Sequence, residues 1–150
     1  MPGRPVASLT DDLDRRLLGL LHDDGRLSVN ELANQANISR ANAYSRLQRL
    51  RDTGVIEGFT VRVDPRKVGM DVAALVLVGI EQRSWRDMAT EVLALPGIEY
   101  LAFTTGGFDF VLLVRVPDVE TLRDVVLEGL QSMPAVRNTQ TVFILDEFRR

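Results

Sequence analysis

The sequence predicts an α+β chain, a winged helix-turn-helix domain followed by a ferredoxin-like βαββαβ domain. Three observations carry this. Residues 28–52 hold two short helix-period segments, each opened by a capping serine and separated by a turn of about three residues. Residues 72–148 repeat a strand-helix-strand pattern whose joints match, Leu95-Pro96-Gly97-Ile98 and Met133-Pro134-Ala135-Val136. Between them, residues 64–69 are polar and contain both a proline and a glycine, the composition of a linker. The expected division is residues 1–63, a linker over 64–70, and residues 71–150.

Taken in order, residues 1–9 are expected to form a loosely attached arm. They include two prolines and no apolar core, so no signal peptide is expected. A first helix is predicted over 10–22. Leu13, Leu17, Leu20 and Leu21 form its buried face, and Asp11, Asp12 and Asp14 suit its positive N-terminal end. Asp23-Asp24-Gly25 ends it. Ser28 with Glu31 three residues on is a capping box, where hydroxyl and carboxylate each satisfy an orphan backbone N–H. The helix so opened buries Leu32, Ala33 and Ala36. Asn37-Ile38-Ser39 interrupts the pattern, and Ser39 caps a second segment that buries Ala43, Leu47 and Leu50 and stops at Gly54. Residues 55–63 are expected to form a strand or wing, with Ile56, Gly58 and Thr60 on one side.

In the second half, strand 72–81 leads to a helix over 85–95. Ser84 is its cap, and Trp85, Met88, Ala89 and Val92 point inward. Strands follow over 98–105 and 108–116, then a helix over 119–130 capped by Asp118 and burying Leu122 and Val126, and a last strand from 136 to about 148. Two helices cover one face of a four-stranded sheet. Yet residues 72–80, 110–114 and 142–145 are apolar at nearly every position, whereas a solvated face would alternate. A second sheet must cover the outer face, and another copy of the chain is the natural candidate.

Composition narrows the chemistry. The chain has no cysteine, which removes disulfides and thiolate metal sites and permits a reducing compartment. His22 is the single histidine, expected exposed near a helix end, so imidazole catalysis and histidine metal sites are not expected. No Gly-rich phosphate loop, Ser–His–Asp set or metal-ligand cluster is present, so neither an enzyme nor a cofactor is expected. The longest apolar run, residues 72–80, is about half a membrane span. The expected location is the cytoplasm.

The net charge of −3 argues at first against a nucleic-acid partner. Residues 1–63, however, hold nine arginines and eight acids (+1), while residues 64–150 hold nine basic residues and thirteen acids (−4). The acidity belongs to the second half. From Ser39 to Arg51 there are four arginines and no acid. At 100° per residue, Ala41, Asn42, Ser45, Gln48 and Arg49 face away from the apolar stripe, with Tyr44 and Arg46 on its flanks. Arginine, asparagine and glutamine make bidentate contacts to base edges, and all the polar types reach phosphates. A charged helix face alone is usually just solvated; the caps and the turn beside it tip the balance toward double-stranded DNA. Arg40, Asn42, Tyr44, Ser45, Arg46, Gln48 and Arg49 are the candidate DNA-binding residues.

These residues also resemble a family, the Lrp/AsnC (leucine-responsive) transcriptional regulators, over nearly the whole chain. The likeness rests on Leu13-Asp14, Asp24-Gly25-Arg26-Leu27-Ser28, Glu31-Leu32-Ala33, Ile38-Ser39, Arg46-Leu47, Arg49-Leu50, Gly54-Val55-Ile56, Val63-Asp64-Pro65 and Gly69. Arg40 stands where the family often has proline, and Ala43 where a larger aliphatic is usual. The resemblance implies a RAM/ACT-like second domain, a homodimer often assembled into an octameric ring, and an amino-acid effector.

The turn Thr104-Thr105-Gly106-Gly107-Phe108-Asp109 reads from its residues as a hairpin turn, with glycines supplying positive φ. The resemblance implies more: a Gly-x-aromatic-Asp turn beside a small-molecule pocket at a subunit interface, matched by Gly106, Phe108 and Asp109. Thr104, Thr105, Gly106, Gly107 and Asp109 are then effector-binding candidates, with Thr139, Gln140 and Thr141 as the second wall. Backbone N–H groups would meet an amino acid's carboxylate, and Asp109 its ammonium. Two alternatives remain: a haem-precursor decarboxylase on the same plan, disfavoured by the lone histidine, and a metabolite sensor that does not bind DNA.

Overall fold

The computed structural model describes residues 9–81 and 85–148, with backbone alone for 85–87. The chain divides into two compact units between Val61 and Arg62.

The first unit is three helices. α1 (Asp12–Asp23) is capped by Asp11, whose carboxylate accepts from the Asp14 N–H while Asp14 accepts from the Asp11 N–H, a reciprocal box that starts the helix two residues later than the acid pattern suggests. α2 (Val29–Ala36) has the expected box, with Ser28 N–H donating to Glu31 Oε2 at 2.7 Å and Glu31 N–H to Ser28 Oγ at 3.3 Å. It ends at Asn37 in the left-handed region (φ 56°), a conformation asparagine tolerates. α3 (Arg40–Asp52) starts at Ser39, whose Oγ accepts from the Asn42 N–H. Leu17, Leu32 and Ala36 centre the core, with Leu13, Leu20, Leu21, Leu27, Ile38 and Leu47 packed around them.

The strand expected over 55–63 is not formed: among the described residues this segment joins no ladder, and residues 57–64 are exposed. A strand needs a partner for its backbone groups, and among the described residues of the first unit there is no other strand.

The second unit is a four-stranded antiparallel sheet in the order β2-β3-β1-β4, made of β1 (Val72–Ile80), β2 (Ile98–Phe103), β3 (Phe110–Val116) and β4 (Val136–Phe143). α4 (Trp85–Leu93) connects β1 to β2. α5 (Val119–Asp124), capped by Asp118 and continued by π-helical turns over Val125–Leu130, connects β3 to β4. With the strands in this order, the expected ferredoxin-like unit is formed. Ala74, Val76, Val78, Phe110, Leu112, Val114 and Val116 pack against Met88, Val92, Leu122, Val125, Val126 and Leu130. Each Val, Leu, Met or Phe so buried stabilises by about 1.5–3 kcal/mol. The elements are shorter than expected. α4 stops at Leu93, β2 at Phe103 and β4 at Phe143, although single bonds from Thr104 N–H to the Asp109 carbonyl and from Ile144 N–H to the Ala73 carbonyl (each 2.9 Å) follow the two strand ends. The 1–8 arm, the Ser84 cap and the inward Trp85 side chain lie outside the described residues.

Candidate DNA-binding surface and effector turn

α3 presents Arg40, Ala41, Asn42, Tyr44, Ser45 and Gln48 to solvent, with Tyr44 60% exposed. Gln48 Nε2 donates to Asp52 Oδ1 at 2.9 Å, one turn on. Arg49 is exposed as expected and Arg46 half-buried on the flank, but the guanidinium groups of both turn inward. Both reach back to α1, where Asp14 is fully buried. Arg46 Nη1 donates to Asp14 Oδ1 (2.8 Å) and Asp11 Oδ2 (2.7 Å), and its Nε donates to Asn42 Oδ1 (3.0 Å). Arg49 Nη2 donates to Asp14 Oδ2 at 2.5 Å and Nη1 to the Leu9 carbonyl at 3.1 Å.

The physical reason is the cost of a buried carboxylate. Unpaired, it would protonate or unfold the site; paired with two guanidinium groups, it stays ionised. Burial alone would raise the Asp14 pKa. The Asp11 N–H, then Arg49 and Arg46, outweigh burial and hold it well below the usual carboxylate range. Asp11 is lowered as well, first by the Asp14 N–H and then by Arg46. Arg46 is raised in turn by Asp11 and Asp14. Sequence pattern gave Asp14 only a helix-end role.

The turn between β2 and β3 is closed by its own backbone. Thr104 N–H donates to the Asp109 carbonyl (2.9 Å), and Thr104 Oγ1 to the Phe108 carbonyl (2.9 Å). Gly106 has φ 125°, a conformation side chains rarely adopt, and the space around Gly106 and Gly107 is open. Asp109 ties the turn to the end of β1: its N–H donates to the Val78 carbonyl (2.9 Å), and its Oδ2 accepts from the Ile80 N–H (2.7 Å). Thr139 pairs with Val78 across β1 and β4, so Asp109 and Thr139 flank the same end of β1. Thr139 Oγ1 also accepts from Gln131 Nε2 at 2.9 Å. Thr141 shares the Thr139 face, whereas Gln140, opposite Leu77, lies on the other side of the sheet. Sequence reasoning missed Gly79, where the register shifts and a Cβ would collide with the Asn138 side-chain amide. A lone glycine inside an apolar strand is the signal that could have found it.

A cleft of about 360 Å³ lies elsewhere in the second unit, lined among others by Arg62, Arg66, Asp71, Arg115 and Glu147. None of the expected effector residues lines it. Arg115, on the outer sheet face, is 5% exposed and donates to Glu99 (2.8 Å) and Glu147 (2.6 Å). Burial opposes its charge, and Glu147 and Glu99 outweigh that opposition. Among the described residues no group of three or more His, Cys, Asp or Glu side chains could hold a metal ion, and no helix is long and apolar enough to cross a membrane.

A capped helix-turn-helix followed by a ferredoxin-like domain with an open glycine turn defines a two-domain DNA-binding regulator. Comparison with known proteins agrees. Residues 10–57 match the family described as winged helix-turn-helix DNA-binding, and residues 73–150 match the Lrp/AsnC ligand binding domain. The chain therefore belongs to the Lrp/AsnC family of transcriptional regulators. It is 35% identical to the HTH-type transcriptional regulator AldR of Mycolicibacterium smegmatis, over 99% of this chain and 90% of AldR. It is 33% identical to the proline dehydrogenase transcriptional activator of Rhizobium radiobacter, over 93% of this chain and 94% of that protein. Among solved structures, it is similar to the transcriptional regulator NMB0573 of Neisseria meningitidis in complex with L-Met. That likeness has a TM-score of 0.86 and 26% identity, over 94% of this chain and 93% of that one.

Proposed function

We propose that this transcriptional regulator reads a specific DNA site through α3 and answers to an amino acid, or a closely related metabolite, bound at a subunit interface. Residues 1–63 are the DNA-binding part, 64–70 the linker and 71–150 the effector-binding and oligomerisation part. Arg40, Asn42, Tyr44, Ser45 and Gln48 project from α3, and Arg46 and Arg49 belong to the same surface through their hold on Asp11 and Asp14. The observation that carries the reading is this exposed outer face of α3, with Arg40, Asn42, Tyr44, Ser45 and Gln48, on a helix capped and packed as the second of a helix-turn-helix.

Assembly as a homodimer, and from it an octamer, is supported by the outer sheet face. Leu75 lies between Leu113 and Val142 across the ladders, and Leu77 lies opposite Val111. Leu75, Tyr100 and Val142 are 37%, 56% and 43% exposed. A patch of this kind is what a second copy covers. The dimer would place two recognition helices in successive major grooves, about 10 bp apart. For the effector, Thr104, Thr105, Gly106, Gly107 and Asp109, with Thr139 and Thr141, form the site. Gln140, on the opposite sheet face, would act from a neighbouring subunit's side. The L-Met complex of NMB0573 and the proline dehydrogenase target named for the Rhizobium relative support an amino acid. The protein works in the cytoplasm, where its DNA is.

Isothermal titration of the purified protein with each of the twenty L-amino acids tests the effector. Saturable binding of one or a few, with a change in assembly or in DNA affinity, is expected. Binding of none across the set would remove the amino-acid assignment.

A further inference from the structure

Asp14 is the one fully buried acidic side chain among the described residues, and both its oxygens are used by arginines of α3. α3 needs such an anchor. Of its thirteen residues only Ala43 and Leu50 are fully buried, with Leu47 partly buried against the core, and Ala43 has a single methyl to pack. Apolar contact therefore fixes the helix weakly against rotation about its own axis, and a rotation of a few degrees moves every side chain that points into a groove. The two guanidinium groups sit nearly one turn apart along α3 and converge on one carboxylate. That geometry resists both rotation and sliding. Arg46 in addition holds the Asn42 side-chain oxygen, so the clamp continues into the outward face.

Resting on the DNA-binding reading, we propose that Asp14 is a positioning residue for DNA recognition: through Arg46 and Arg49 it sets the pose of α3. Arg46 and Arg49 then act as struts, and base reading falls to Arg40, Tyr44, Ser45 and Gln48, with Asn42 braced by Arg46. The arginines most readily taken from sequence as DNA contacts are engaged within the domain instead. An ionised Asp14 also keeps two cations from the phosphates of any duplex, which favours the correct sequence over random DNA.

The test uses the full-length chain, a duplex enriched by the parent protein from a random pool, and a scrambled duplex of equal length. Affinity for both is measured across a salt series for the parent, Asp14→Asn, Arg46→Gln and Arg49→Gln, with thermal melts as folding controls. A strut carries no phosphate. The arginine variants should therefore lose tenfold or more for the enriched duplex with an unchanged slope of log affinity against log salt. Asp14→Asn should lose preference for the enriched duplex, and its slope on the scrambled duplex should steepen by about 1–2 as two guanidinium groups are released to phosphates. A slope flattened by about 1 in Arg46→Gln or Arg49→Gln would mark a direct phosphate contact and overturn the proposal. A new preferred sequence at one defined position in either variant, pointing to a direct base contact, would do the same. If Asp14→Asn does not fold, the two arginine variants decide. No salt-sensitive binding by the parent itself would instead overturn the DNA-binding reading, and this inference with it.

Discussion

At the scale of single residues, carboxylates hold the first unit together and make it sensitive to acid. Asp14, Asp11 and Glu31 all have pKa values lowered in the folded chain, by N–H and guanidinium donors for the aspartates and by the Ser28 hydroxyl and N–H for Glu31. A group whose folded pKa is depressed contributes stability above its unfolded value, about 3.9 for aspartate, and loses it as pH falls through the folded value. The parent should therefore be more stable than Asp14→Asn at pH 7, and the difference should shrink as pH falls below about 4, as read by denaturant melts at several pH values. Asp14→Ala leaves Arg49 without its carboxylate and Arg46 with that of Asp11 alone. Because both are partly exposed, the expected loss is about 2–3 kcal/mol, below the roughly 3–5 kcal/mol that breaking a fully buried pair costs. Asp109 allows a similar separation of roles. Asp109→Asn keeps an acceptor for the Ile80 N–H and removes the charge, so the fold should survive while ligand affinity falls about tenfold or more. Unchanged affinity would take Asp109 out of the pocket. These roles were poorly legible in the sequence. Asp14 and its arginines are more than thirty positions apart, and no periodicity links them.

At the scale of elements, the caps were the most legible feature. Ser28, Ser39 and Asp118 each accept the N–H that sequence spacing assigns to them, because a cap is a contact between residues three apart. Replacing Ser39 by alanine should cost about 1 kcal/mol and loosen the start of α3, measurable as a lower melting temperature together with weaker DNA binding. The strand-helix-strand repeat was legible for the same reason, since alternation and 3.6-residue spacing are local. Element ends were not. β4 stops at Phe143 although apolar residues continue, and residues 55–63, read as a strand or wing, form no strand. Propensity marks where a strand can form, but a ladder partner decides whether it does. The π-helical turns at Val125–Leu130 left no trace in the pattern either.

At the scale of the whole molecule, the second unit has one sheet face closed by its helices, while the other exposes an apolar patch at Leu75, Tyr100 and Val142. Leu112, at the centre of the closed face, should cost about 2–5 kcal/mol when cut to alanine, and this should show as monomer unfolding. Leu75 sits on the open face, where a charge is tolerated by an isolated chain but not by a covered sheet. Leu75→Glu should therefore leave the domain folded and shift the assembly toward monomer in sedimentation equilibrium. An assembly unaffected by Leu75→Glu would move the interface elsewhere. The apolar character of the outer strand positions was legible from sequence, because residues 72–80 lack the alternation of a solvated face.

The central claim is that this chain recognises a particular DNA sequence, and the most direct test is enrichment of a random duplex pool by the purified protein at two salt concentrations. A roughly palindromic motif with half-sites about one helical turn apart, bound more weakly at the higher salt, is the expected result. A pool that emerges without sequence preference, or binding indifferent to salt, would contradict the account.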